Sequence, residues 1–311
     1  MSRIDALLVL MVVIWGSNYS VIKRCFDQIP HVPFNALRLA IASGLFMAAI
    51  RAAQRRARRG AGGLSSIFYT PNPLTTADRW QLVGLGLVGH TAYQLCFVGG
   101  VALTSVSNGA LIIGMTPIVV ATASALLGRE RIGRLHWLGA AVSVLGLYLV
   151  VGHRAAFGGA SLRGDVLVMA SVGCWAAYTI WAGQLTVRHS PLYVTGTSMA
   201  IGTIPYLALA VPQLLQLRWS EINPWIWVAL VLSAVFALCI SYLIWYTAVK
   251  QIGPARTSAY SNVVPIVAML VAWLWLGEPV SGTKAAGALA VLAGVFFTRL
   301  GRKIEAVPIE E

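Results

Sequence analysis

A chain of 311 residues that is 58% hydrophobic and only 11% charged excludes an ordinary soluble domain, in which about a quarter of the residues are charged. The net charge of +13 would point to nucleic acid in a soluble protein, but here the Lys and Arg residues fall between apolar runs, where they report membrane orientation. Cys25, Cys96, Cys174 and Cys239 are scattered without a C-x-x-C pair, which offers neither a metal site nor a redox site.

Apolar runs of membrane-crossing length recur along the whole chain. Ten spans are expected, at about 4–22, 33–50, 80–101, 107–127, 134–151, 165–184, 192–214, 224–247, 256–276 and 282–300. Arg3 and the first run have the outline of a signal peptide, but nine spans behind them favour a retained first helix. Helix 1 carries Trp15, Asn18 and Tyr19. Helix 2 carries Arg38 close to its end, which reads as a snorkelling or packing arginine, with substrate binding the lesser alternative. The Arg-, Gly- and Pro-rich stretch from Arg51 to Arg79 reads as a solvated loop that sets orientation.

In helix 3, His90, Tyr93, Gln94 and Phe97 are spaced by three and four and so share one face. Gly84-x-Gly86-x-x-Gly89 matches a dinucleotide-binding pattern, but without a strand before it the glycines read as a helix contact. Helix 4 contributes Asn108, helix 6 Trp175 and Tyr178, helix 8 Tyr242, Trp245 and Tyr246, and helix 9 Tyr260 and Asn262. Pro117 and Pro265 fall midway along helices 4 and 9, where a proline removes a hydrogen bond and kinks the helix, so both are expected to be hinges, with a static kink that serves only packing as the equal alternative. Gly282, Ala286, Ala290 and Gly294 form a small-residue ridge on helix 10, read as close helix packing.

These features repeat. Pro117, Glu130, Gly139 and Gly146 each have a counterpart 148 positions on, in Pro265, Glu278, Gly287 and Gly294. Arg3, Asp5 and Trp15 return 160 positions on, and Pro33 and Gly44 return 158 on. The expected architecture is an all-α polytopic membrane protein, with ten transmembrane helices as two inverted five-helix repeats. Residues 1–153 make helices 1–5, residues 154–303 make helices 6–10, and 304–311 form a cytoplasmic tail. Because five is odd, the second copy enters the membrane from the opposite side, the symmetry that lets two halves exchange conformations around a central site. Sixteen Lys and Arg lie on the side of the termini against six on the other. The positive-inside rule then places both termini in the cytoplasm.

Ala102-Leu103-Thr104-Ser105, Asn108, Pro117, Leu127-Gly128 and Glu130 resemble the repeat unit of the drug/metabolite transporter superfamily, in its EamA-type ten-helix branch. The second half shows it again in Gly253-Pro254, Thr257-Ser258, Pro265, Leu276-Gly277-Glu278 and Gly287, while Trp15-Gly16-Ser17-Asn18 and 35–38 match the start of such proteins. Within that branch the aromatics look most like the YddG-type aromatic amino-acid exporters. The resemblance implies a cavity formed mainly by helices 1, 3, 4, 6, 8 and 9.

All ten acidic residues lie at span ends, in turns or in the tail. A mid-membrane carboxylate for proton-driven export of cations is therefore lacking, which leaves His90 as the titrating group. One arginine does not suit a phosphorylated substrate. No Walker A, G-x-S-x-G or H-E-x-x-H pattern supports ATP-driven pumping or common hydrolase chemistry. Aromatic rings among amide and hydroxyl groups suit an uncharged or zwitterionic aromatic solute. The expectation is a facilitative exporter of aromatic or other hydrophobic amino acids, working by alternating access. It needs no cofactor or metal and binds no nucleic acid; its partners are the small-molecule substrate and the bilayer, and it is read as a monomer, with a dimer left open. The alternatives are a broad exporter of amphipathic drugs and metabolites, or a membrane enzyme or lipid-binding receptor in which His90 acts on a lipid.

Overall fold

A computed structural model describes residues 3–59, 65–126, 133–155, 159–261 and 263–300, and these are helical apart from short turns, with no strand among them. The helices are α1 (Arg3–Cys25), α2 (His31–Arg58), α3 (Thr76–Leu103), α4 (Val106–Ile113), α5 (Thr116–Leu126), α6 (Arg134–Ala155), α7 (Gly159–Arg188), α8 (Pro191–Leu215), α9 (224–261), α10 (Val264–Leu276) and α11 (Gly282–Leu300). Among the described residues, six helices are long and apolar enough to cross a membrane: α1, α2, α3, Leu162–Arg188 of α7, α8 and Pro224–Ile252 of α9. Local chemistry starts several of them. Thr75 and Asp78 form a capping box on α3, Ser105 caps α4, Ser190 caps α8, and Asn223 caps α9 just before Pro224.

Three features depart from ideal helices at the expected boundaries. First, α3 widens into a π-helical turn at Leu87–Ala92, and α9 does so at Ser233–Ile240. Second, helix 4 is not one kinked rod but two half-helices, α4 and α5, parted at Gly114 and Met115. Helix 9 is parted likewise ahead of α10. Pro117 and Pro265 therefore sit in the first turn of a new half-helix, where a missing N–H costs nothing. Pro117 would otherwise have donated to Ile113, and the Thr116 hydroxyl takes that carbonyl instead, at 2.6 Å. Third, the turn expected between helices 8 and 9 is absent, because α9 runs on to Ser261 through Pro254. One lost hydrogen bond does not end a helix where no water is present to receive the backbone groups that a turn would free.

Packing depends on small residues, as it must where lipid removes the hydrophobic drive between helices. A Cβ on Gly294 of α11 would lie 2.2 Å from Ser143 Oγ and 2.4 Å from the Gly139 carbonyl of α6. One on Gly146 would lie 2.7 Å from the Gly287 carbonyl, and Ser143 donates to the Val291 carbonyl at 3.2 Å. The α11 ridge is thus Gly287, Ala290 and Gly294. Gly282 and Ala286 of the expected ridge are exposed, because the contacting stripe lies one residue around the helix. Gly86 and Gly89 of the decoy pattern do serve helix contact, against Gly202 and the Tyr178 ring.

Candidate substrate cavity

Where α1, α2, α3, α7 and α9 converge on the two helix breaks, a small cavity remains. Its wall comprises Trp15, Asn18 and Tyr19 of α1, Arg38 of α2, Tyr93, Gln94 and Phe97 of α3, and Trp175 of α7. Ala237, Leu238, Tyr242, Trp245 and Ser261 of α9 complete it, with Ile113, Thr116 and Val264 from the breaks. The break residues come in pairs 148 apart, Ile113 with Ser261 and Thr116 with Val264.

The wall is a box of rings. Trp175 meets Trp15 edge-on at 5.9 Å, Tyr242 edge-on at 5.3 Å and Tyr93 at 5.1 Å between ring centres. Trp245 lies 5.5 Å from Trp15, while Phe97 stacks on Tyr93 at 5.6 Å and receives Tyr19 edge-on at 5.4 Å. Such offset and edge contacts hold rings at fixed angles. Hydrogen bonds fix the rest: Trp15 Nε1 donates to the Ala237 carbonyl in the π-helical turn at 3.0 Å, and the Ser233 hydroxyl donates to Asn18. Gln94 donates to the Tyr242 hydroxyl at 3.5 Å. Three wall residues keep one buried polar atom without a partner among the described residues: Gln94 Oε1, Trp245 Nε1 and Arg38 Nε. Buried polar atoms are normally paired, so the arrangement has room for a polar guest. The cavity itself is only about 60 Å³, space for a few waters but not for an indole ring.

Nine of the expected site residues form this wall: Trp15, Asn18, Tyr19, Tyr93, Gln94, Phe97, Trp175, Tyr242 and Trp245. Five others lie elsewhere. The π-turn adds a residue to the helical repeat and swings His90 off the Tyr93–Gln94–Phe97 face. His90 Nε2 instead meets the Tyr178 hydroxyl at 3.0 Å and Ser198 at 3.3 Å, fully buried behind the wall. Tyr246 packs edge-on against Tyr178 in the same layer. Asn108 sits in the first turn of α4, its N–H on the Ser105 hydroxyl. Tyr260 donates to Asp5 at 2.7 Å near the start of α1. Asn262 lies outside the described residues, as does Glu130. Arg38 was the residue that sequence reasoning set aside. It does not snorkel but is 1% exposed, inside the wall.

Polar contacts tie the helices together at both ends of the bundle, above and below the cavity. Toward the end of α1, Lys23 donates to the carbonyls of Val101, Ala102 and Thr104 at 2.7–2.9 Å, and Thr104 donates to Asp165 at 2.5 Å. There too, the Glu278 carboxylate clasps the open start of α4, accepting from the Val106 N–H at 2.8 Å and the Ser107 hydroxyl at 2.7 Å, with Lys284 3.8 Å away. A carboxylate belongs at a helix start, where free N–H groups and the helix dipole favour it. At the opposite end Tyr260 holds Asp5, and Asp78 pairs with Arg188 and His189.

A ring-lined space inside a bundle of membrane-length helices has the form of a carrier site, and the comparisons with known proteins agree. The model of the EamA-like transporter family matches residues 2–152 and 162–300. An uncharacterized transporter of Bacillus subtilis, YyaM, is 28% identical over 68% of this chain and 70% of its own. A probable amino-acid metabolite efflux pump of Salmonella typhimurium is 24% identical over 98% of this chain and 97% of its own. A solved crystal structure shares the fold, with a TM-score of 0.67, 20% identity, and coverage of 98% of this chain and 99% of that one. Matched along nearly its whole length, the chain belongs to the EamA-like transporter family and is a membrane transporter rather than an enzyme.

Proposed function

We propose that the protein exports aromatic or other hydrophobic amino acids across a bacterial inner membrane by facilitated alternating access, both termini being cytoplasmic. The observation that carries this reading is the box of Trp15, Trp175, Tyr242 and Trp245 with unpaired polar atoms on Gln94 and Trp245. It offers ring faces to an aromatic side chain and hydrogen bonds to its polar end. The polar ties at the two ends of the bundle are contacts that a carrier opening to one side at a time would have to break. Pseudosymmetry supports the inverted-repeat mechanism: Gln94 touches Tyr242, 148 positions away, and Trp15 touches Trp175, 160 away, so counterparts meet at the cavity. Pro117 and Pro265, at the starts of half-helices, are then the points at which α4–α5 and α9–α10 flex.

The reading is tested with vesicles holding only this protein, loaded with unlabelled tryptophan and offered labelled tryptophan, phenylalanine, leucine or threonine. Saturable exchange of the aromatic pair without a proton gradient, lost in Trp175→Ala, is the expected result. Flux that appears only with a gradient would overturn the uncoupled mechanism, and equal flux of threonine would overturn the aromatic preference.

A further inference from the structure

An arginine inside a membrane protein is costly unless a counter-charge or a full set of acceptors receives it. Arg38 has neither. Its Nη1 donates to Asn35 Oδ1 at 3.0 Å, and its guanidinium lies 5.7 Å from the centre of the Phe34 ring. Those contacts position the head but leave its charge unbalanced. Nε is buried with no acceptor, and no described carboxylate forms an ion pair with it. The titratable side chains that interact with it electrostatically are Tyr242, Tyr206, Cys25 and Tyr93, none of them a carboxylate. With Nη1 engaged, the Nε–Nη2 edge remains, and that edge of a guanidinium matches the two oxygens of one carboxylate. The same residue forms part of the cavity wall beside Tyr93 and Gln94.

We propose that Arg38 recognises the carboxylate of the transported solute, so that the cargo must bear one such anionic group next to its apolar body. This rests on the amino-acid reading above and narrows it. The site would accept aromatic carboxylates with or without an α-amino group, and would reject the matching amines and amides. Asn35 acts as a positioning residue that turns the fork toward the cavity.

The test uses the full-length protein in vesicles, with competitors against labelled tryptophan exchange. Indole-3-propionate should compete about as well as tryptophan, and tryptophanamide and tryptamine about 30-fold or more less well, the cost of leaving a buried charge without its partner. Arg38→Gln should abolish that preference for the acid, while Arg38→Lys should retain part of it. Amide and acid competing equally in the unaltered protein would overturn the Arg38 proposal, whatever the variants do, and leave the aromatic reading standing. Exchange of leucine but of no aromatic solute, still lost in Arg38→Gln and retained in part by Arg38→Lys, would do the opposite. No exchange of any amino acid would overturn both.

Discussion

The α6–α11 seam and the central cavity are built to opposite rules. In the seam, backbones touch through Gly139, Gly146, Gly287 and Gly294, and a side chain of any size at Gly294 would collide with the facing helix. At the cavity the largest side chains of the chain converge, yet they leave empty space and unpaired polar atoms. Close small-residue contact gives two helices one arrangement and holds it. Rings meeting at edges, beside helices already broken in two, can be rearranged without unfolding anything. On the proposed alternating-access cycle, the seam is the part that stays fixed and the cavity the part that opens.

The comparison breaks hardest at the seam. Gly294→Leu should cost more than about 3 kcal/mol, beyond usual overpacking, because the obstacle is backbone. Gly44→Leu, where a new Cβ meets nothing within 4 Å, should stay within about 0.5 kcal/mol. Thermal unfolding of both variants in detergent checks this; similar losses would mean that the seam is not a fixed unit. Trp175→Ala should instead fold and lower kcat/KM for tryptophan about 30-fold or more, as removal of a central ring contact does.

The two ends of the molecule sharpen the contrast further. Glu278 clasps the start of α4 through the Val106 and Ser107 N–H groups and the Ser107 hydroxyl. The positions 148 later are Pro254, which has no N–H, and Ala255, which has no hydroxyl. Only one of those three donors has a counterpart there. Glu278→Gln should loosen the clasp by about 1–2 kcal/mol. A cysteine placed at Thr116, with the native cysteines removed, should then react about tenfold faster with a membrane-impermeant thiol reagent added outside. An unchanged rate would show that Glu278 closes nothing.

Much of this was legible in the residues. Nine wall side chains could be found because aromatic and amide groups sharing a helix face in an apolar span have few other destinations. His90 misled because the spacing rule assumes 3.6 residues per turn, and no local signal announced the π-turn at Leu87–Ala92. For Arg38 the snorkelling reading failed and the packing reading did not: an arginine a few residues from a span end ordinarily reaches water. Only tertiary contact shows it held by Asn35 and enclosed. Both prolines were found, but a kinked helix and two half-helices give the same sequence pattern.

That last ambiguity yields the smallest and most discriminating effect. In the interior of a continuous helix, Pro→Ala would stabilise by about 3 kcal/mol. In the first turn of a half-helix it should change stability by less than about 1 kcal/mol, because no bond was missing there. The two prolines should also differ from each other. In Pro117→Ala the new N–H must share the Ile113 carbonyl with the Thr116 hydroxyl, which weakens the bond it can make, so the break should persist and exchange should continue. The residue that corresponds to Thr116 is Val264, which has no hydroxyl to compete. In Pro265→Ala the new N–H can bond the Ser261 carbonyl and begin to splice α9 to α10. Thermal unfolding and tryptophan exchange, measured together, should show Pro265→Ala as slightly stabilised and several-fold slower and Pro117→Ala as neutral in both. A large gain in stability from Pro117→Ala would mean that α4 and α5 behave as one strained helix.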